Sequence, residues 1–282
     1  MLSADRLAAY KRALDVNKQA ALRRLEEYIR TVRVDPDDIE AAREAFIDFF
    51  EGLEASYGDA AASMAADLFE DQLRDAGLKP DGTRLAENPT DKVREDAARI
   101  FDNGLKGAYS GGEGFAHAAG MALGTWLHRR ANETMRRNAA RRGVRYARVP
   151  TGPETCGFCI LLASRGFVYG SRRKAGDDGN HYHPNCDCLV VAGFGEDPRV
   201  EGYDPDYYKD IYDRNIVTDG RGRVDLKGTV ASIRQELMGS DEYREHVNET
   251  RRAYYRRNRD RILKVRHDWI ERTGRNSRGE EM

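Results

Sequence analysis

The sequence has no apolar run approaching the roughly 18–20 residues that span a membrane. Its first thirty residues are charged throughout and lack the apolar stretch of a secretory signal. Neither membrane insertion nor standard secretion is therefore expected. Apolar residues are scarce too: 40% of the chain is hydrophobic and 34% charged, against averages of roughly 45–50% and 25%. Over 282 residues this fills only a lean core, which favours slender helices with much exposed surface. Only four cysteines occur, all between positions 156 and 188. Such clustering is not a spread-out disulfide framework, and in a reducing compartment it points to metal. The sequence contains no H-E-x-x-H, no G-x-S-x-G and no paired deaminase signature. Neither cysteine pair leads directly into a helix with H-x3-5-H spacing, and no helix-turn-helix is recognisable, so a DNA-binding regulator lacks its motif.

The net charge of −1 hides a segregation. Residues 35–75 carry 13 acids against two arginines, a local charge of −11. Residues 129–149 carry eight arginines against Glu133, and residues 251–266 carry eight basic residues against Asp260. The asymmetry predicts either an external polyanion or protein partner, or acidic and basic helices of one chain facing each other.

The first 142 residues read as helices. Leu22, Leu25, Ile29 and Val32 recur at 3 and 4 and place an amphipathic helix over 3–32. Asp35 followed by Pro36 predicts the start of the next, with Ile39, Ala42, Phe46, Phe49, Leu53 and Tyr57 inward and Gly58 as a break. A further helix over 59–76 would stop at Gly77. Thr90 predicts the cap of another, burying Val93, Ala97, Ile100 and Phe101. Gly111, Gly112 and Gly114 form a hinge in this reading, and a long helix over 115–142 buries Phe115, Ala119, Leu123, Trp126 and Leu127. On it, Gly120 and Gly124 suit close helix packing, and His117 and His128 read as ordinary helix residues. At Gly143 the texture changes. Val144–Val149, Gly166–Gly170 and Cys188–Phe194 read as short strands. Residues 143–195 thus form a small α+β module, too short to be held by its own core. Residues 196–282 form an extension with helices near 203–216 and 225–238. It ends in a helix of about thirty residues from Ser240, with Trp269 among its apolar positions. Three regions result: 1–142 helical, 143–195 α+β, 196–282 C-terminal.

The sharpest local pattern is Cys156-Gly157-Phe158-Cys159 followed by His181-Tyr182-His183-Pro184-Asn185-Cys186-Asp187-Cys188. A C-x2-C turn lets two thiolates converge on one tetrahedral ion, and zinc takes four sulfur or nitrogen ligands in closed structural sites. Cys156 and Cys159 are the firmest ligands, and the other two come from His183, Cys186 and Cys188. The competing readings are a redox C-x2-C, two disulfides, and a catalytic site with an open zinc position or a Cys–His nucleophile pair. Ser164 has no partner pattern that would make it a nucleophile. The pairs Tyr207-Tyr208 and Tyr254-Tyr255 each place one ring in and one out.

Together with Arg148-Val149-Pro150 and Ala163-Ser164-Arg165-Gly166, the C-x2-C and H-P-x-C-x-C strings resemble the minor capsid proteins of tailed bacteriophages, the Mu F-like head-morphogenesis family. The resemblance covers about 40 residues, places Cys156, Cys159, His183, Cys186 and Cys188 on the family motif, and leaves His181 outside it. It implies a virion-head protein meeting the portal or the inner capsid wall, acting in head assembly, DNA packaging or ejection. It implies no enzyme activity, although related phage proteins are also described as maturation proteases. The expectation is therefore a mainly α protein with a structural zinc site. Arg251, Arg252, Arg256, Arg257, Arg259, Arg261, Lys264 and Arg266 would contact packaged DNA or an acidic face of the portal or major capsid protein.

Overall fold

Helix-forming sequence with a 3.6-residue apolar period dominates the chain, and the structure follows it. A computed structural model describes residues 1–31, 37–105, 111–151, 155–170 and 188–239, the side chains of residues 111–113 and 238 excepted. The chain divides into two compact units, Met1–Arg214 and Asn215–Met282. In the first, four long helices α1 (Ala4–Thr31), α2 (Ile39–Asp75), α3 (Thr90–Leu105) and α4 (Gly111–Arg141) precede strand β1 (Arg145–Pro150). Short helix α5 (Gly157–Ala163), strand β2 (Cys188–Gly193) and helix α6 (Pro205–Arg214) follow. The protein is mainly α, as expected.

Three helix boundaries differ from the sequence reading. Helix α2 is capped by Asp38, which accepts the Ala41 N–H at 3.2 Å; Asp35 and Pro36 lie outside the described residues. It then continues through Gly58, where a break was expected. Gly58 is buried at the crossing with α4, and a Cβ there would stand 2.6 Å from Glu54 Oε1 and 3.2 Å from Arg130 Cγ. The glycine serves close approach, not termination, and this outweighs its roughly 1 kcal/mol cost in a helix interior. Gly111–Gly114 likewise form the first turn of α4 rather than a hinge.

Gly120 and Gly124 act as expected: a Cβ at Gly120 would meet Leu22 of α1 at 3.3 Å, and one at Gly124 would meet Lys18 at 2.7 Å. Both α2 and α4 end in the same way. Gly77 (φ 72°) and Gly143 (φ 65°) take the left-handed conformation. Leu78 N–H then reaches Leu73 O at 2.9 Å, and Val144 N–H reaches Ala139 O at 3.0 Å, closing otherwise orphaned carbonyls.

Two apolar clusters lie along the helices. One joins the N-terminal half of α1 (Leu7, Leu14), the C-terminal half of α2 (Ala61, Leu68, Phe69), Met135 of α4 and the strands (Tyr146, Val149, Leu189, Val191). The other joins Leu25, Phe46, Phe50, Val93, Ile100, Leu123 and Trp126. Between them, on three helices in turn, sit the buried polar residues Asn17, Glu54 and Arg130. Asn17 Nδ2 donates to Tyr57 O at 2.8 Å. Arg130 Nη1 approaches Glu54 Oε2 at 3.3 Å, and its Nη2 pairs with Asp59. The acidic and basic segments of the sequence therefore meet inside this unit. Arg136 and Arg137 also pair locally with Glu133.

The sheet is antiparallel, with Arg145 opposite Gly193 and Pro150 opposite Cys188. The third expected strand contributes a single bridge, Tyr146 to Tyr169. Because the strands share a core cluster with α1, α2 and α4, the α+β segment draws its burial from the helical half. The first residues close onto it: Leu2 N–H donates to Arg199 O at 3.0 Å, and the Glu201 carboxylate accepts the Ala4 N–H at 3.0 Å at the start of α1.

In the second unit, a turn over 219–223 is held by Asp219, whose carboxylate accepts the N–H groups of Arg221 at 2.9 Å and Arg223 at 3.0 Å. Helix α7 (Leu226–Gly239) follows, with Ile233 fully buried and Thr229 Oγ1 accepting the Val217 N–H at 3.0 Å. The expected final helix with Tyr254, Tyr255, Trp269 and all eight basic contact residues lies outside the described residues.

Glu54 has no solvent exposure, and its pKa is pushed up to about 7, first by burial, with Asp59 and Glu51 adding and Arg130 opposing. Its folded pKa is raised, so the native state holds the extra proton between the ordinary carboxylate range and about pH 7. The stability contribution of Glu54 therefore falls as pH rises through that window. Glu54→Gln mimics the protonated form. From pH 5 to pH 8 the wild type should lose on the order of 2 kcal/mol relative to this variant in urea titrations. A pH-independent difference between the two proteins would contradict a strained carboxylate.

Candidate metal centre

The C-x2-C motif forms the N-terminus of α5. Cys156 is its N-cap in an extended conformation, and its Sγ accepts the Cys159 N–H at 3.3 Å. A sulfur accepting an N–H bond is favoured as thiolate, the form that binds metal. Cys156 is partly exposed, while Cys159 and Cys188 are buried. Residues 157–163, Gly-Phe-Cys-Ile-Leu-Leu-Ala, are apolar on every side and carry no helical period, so the sequence shows no helix there. The helix is short and buried over nearly its whole surface.

Hydroxyl groups close its C-terminal end. Ser164 Oγ donates to Leu161 O at 2.9 Å, Tyr169 to Leu162 O at 3.0 Å, and Tyr203 to Ala163 O. Ser164 thus has a local capping role. Burial pushes the Tyr169 phenol up to about 12 and raises Tyr203 as well, so both remain donors at neutral pH. Hydroxyls thus bond the last three carbonyls of this seven-residue helix, of which Leu162 O and Ala163 O also accept the backbone N–H groups of Arg165 and Gly166.

Cys188 opens β2, and α4 and α2 hold this strand along one edge. His128 Nε2 lies 2.7 Å from Cys188 O, and Asn132 Nδ2 donates to the same oxygen at 2.9 Å. The carbonyl acceptor assigns the proton of His128 to Nε2. Asn132 Oδ1 accepts the Val190 N–H at 2.8 Å, and Gln72 Nε2 donates to Ala192 O at 2.9 Å. Residues 188, 190 and 192 alternate, the spacing at which one strand edge presents its backbone groups. His128 was read as an ordinary helix residue, but it grips the strand that carries a candidate ligand. The pair His128 and Asn132, four apart on one helix face, was the only available signal. His117 is exposed, as an ordinary surface residue would be. Tyr207 is exposed and Tyr208 half-buried against Tyr203, matching the expected one-in, one-out pairing.

Cys156, Cys159 and Cys188 are the only candidate ligands within the described residues; His183, Cys186 and His181 lie outside them. Among the described residues, no three His, Cys, Asp or Glu side chains gather into a group able to hold a metal ion. Nor is any helix there long and apolar enough to cross a membrane.

A model of the VG15 protein family matches residues 1–215. The match spans most of the chain, which therefore belongs to this family of viral gene products, consistent with a phage protein. No curated protein and no solved structure matches the chain.

Asn132 satisfies two buried backbone groups at once, whereas His128 shares its acceptor. Asn132→Ala orphans the Val190 N–H while His128 still serves the Cys188 carbonyl, and should cost roughly 1–3 kcal/mol; His128→Ala orphans neither backbone group and should cost about 0.5 kcal/mol. Thermal denaturation of both variants checks the order. Equal losses would show that the Asn132 bridge does not hold β2.

Proposed function

We propose that the protein is a structural minor capsid protein of a tailed phage, placed in the virion head at the portal or inner capsid wall. It acts there in head assembly, DNA packaging or ejection, without an enzymatic step of its own. One conjunction carries the reading: the C-x2-C and H-P-x-C-x-C strings of the head-morphogenesis resemblance occur in a chain whose first 215 residues match a viral family. The portal and the major capsid protein are the proposed partners, with packaged DNA as a further contact through the basic residues from Arg251 to Arg266. No membrane partner is proposed.

A structural zinc ion belongs to the same proposal. Bound zinc would supply a four-ligand cross-link. Cys156 and Cys159 would hold it from the start of α5 and Cys188 from the start of β2, with His183 and Cys186 as the other candidates. What this chain contributes is a thiol already accepting a backbone N–H at α5, and a β2 terminus fixed by His128 and Asn132. Both features suit ligands held in place before the metal arrives.

The competing reading is a capsid maturation protease or another zinc enzyme, and ligand number separates the two. Three protein ligands beside a cleft leave a position for catalytic water; four close it.

Purified phage particles should contain the chain at low copy, recovered by cross-linking with portal or major capsid protein. Purified full-length protein should carry one zinc per chain by elemental analysis, and Cys156→Ser should lower that content. Absence of the chain from particles would refute the head assignment. A metal-free, folded sample with reduced thiols would refute the zinc site. Specific cleavage of the major capsid protein, lost in Cys186→Ser or His183→Ala, would establish the enzyme reading instead.

A further inference from the structure

The C-terminal ends of α2 and α4 lie beside the 79–84 turn, and a cavity of about 310 Å³ opens there. Its size is at the low end of the roughly 300–1,000 Å³ of small-molecule sites. Arg141, Arg142, Thr83, Asp81 and Asn138 line it. The two arginines are held in an unusual manner for surface cations. Arg141 Nη1 donates to Gly82 O, and Arg142 Nη2 donates to Lys79 O at 3.0 Å and to Asp81 O. Nearby, Arg145 Nη2 donates to Glu196 O at 3.2 Å. Backbone carbonyls fix a guanidinium without cancelling its charge, unlike the carboxylates that neutralise Arg130, Arg136 and Arg137. Asp81 pairs with Arg142 and offsets one charge. Among the described residues, Arg141 in the cavity wall has no carboxylate partner.

The turn that carries these carbonyls is itself clamped. Asn138 Oδ1 accepts the Arg84 N–H at 3.0 Å, and its Nδ2 donates to Arg84 O at 2.7 Å. Asn138 is thus occupied and buried, a positioning residue for the turn. Thr83 differs: its Oγ1 is buried and has no hydrogen-bond partner among the described residues. A buried hydroxyl left in that state costs stability unless a ligand completes it. The negative end of the α4 dipole is muted here, because the Gly143 cap closes its last carbonyls.

We propose that this cavity is a binding site for a phosphate group. Arg141 and Arg142 supply charge-assisted donors, and the Thr83 hydroxyl, rotated out of its buried position, completes the oxygen shell. A phosphodiester of a nucleic-acid strand is the source favoured by the further cations that the adjoining segments carry in sequence, Lys79 and Arg84 in the turn and Arg145 just past Gly143. Its lining residues are not among the basic residues at 251–266, and the proposal does not depend on the head assignment.

The test uses the full chain with a labelled random-sequence DNA duplex at 50 and 200 mM salt, and inorganic phosphate as competitor. Arg141→Gln should weaken duplex binding about five- to tenfold at low salt and reduce the log–log salt slope by about 0.9. Thr83→Val should weaken it about threefold with the slope unchanged, since it removes a donor but no charge. Asp81→Asn should tighten it. Phosphate binding lost in Arg141→Gln, without duplex binding, would support the site and assign it to a small phosphate compound. Duplex and phosphate binding unchanged by Arg141→Gln and Thr83→Val, or absent in the wild type, would overturn it. Thr83→Val carries the test even if Arg141→Gln loosens the turn.

Discussion

Extended backbone cannot be buried against a helix unless the helix supplies hydrogen-bond partners, and α4 supplies them with side chains. Asn132 offers one donor and one acceptor to β2, and Asn138 offers the same to Arg84. Thr134 Oγ1 accepts the Ala86 N–H at 2.9 Å while donating to Arg130 O at 2.9 Å. Each amide side chain does what a neighbouring strand would do. A two-stranded sheet is marginal by itself. Here β1 occupies one edge of β2, and Asn132, His128 and Gln72 cover the other, so neither edge of β2 is left to recruit another chain. The candidate ligand Cys188 inherits its position from this arrangement.

The same helix sets the register of the bundle. Glu54, Asn17 and Arg130 form a polar layer between two apolar clusters. Such a layer adds little net stability, because desolvating two charges offsets much of their attraction. Its effect is selective: sliding α2 along α4 would leave Arg130 or Glu54 buried and uncompensated. Gly58 is required for the same reason, since any side chain there would occupy the space of the Glu54 carboxylate.

Much of this was legible in the sequence. The four inward residues of α3 are all buried, and the spacing of Gly120 and Gly124 correctly announced a close helix contact. Strand β1 was visible in the alternation of Val144–Val149, and β2 in the apolar run Cys188–Phe194. What escaped depends on contacts between residues distant in sequence. Gly58 carries the same letter as a helix stop, and only Arg130, 72 positions later, shows why it lies inside a helix. His128 looks like any helical histidine until Cys188 arrives 60 residues on. The arginine-rich stretch was compatible with an outside partner or with an acidic helix of the same chain, and only the fold shows that Arg130, Arg136, Arg137 and Arg142 find carboxylates within the described residues. Helix α5 escaped because complete burial erases the periodicity by which a helix is recognised.

The central claim is that α4 holds β2, and with it Cys188, by side-chain bonds to the strand's outer edge. Amide hydrogen exchange of the full-length protein tests it most directly. The Val190 N–H, bonded only through Asn132, should exchange as slowly as the core amides of α4 around Leu123 and Ala131. In Asn132→Ala it should exchange at least tenfold faster, while the Leu189 amide on the β1 side changes least. A Val190 amide that exchanges as fast as the exposed turn at 219–223 in the wild type would contradict the account.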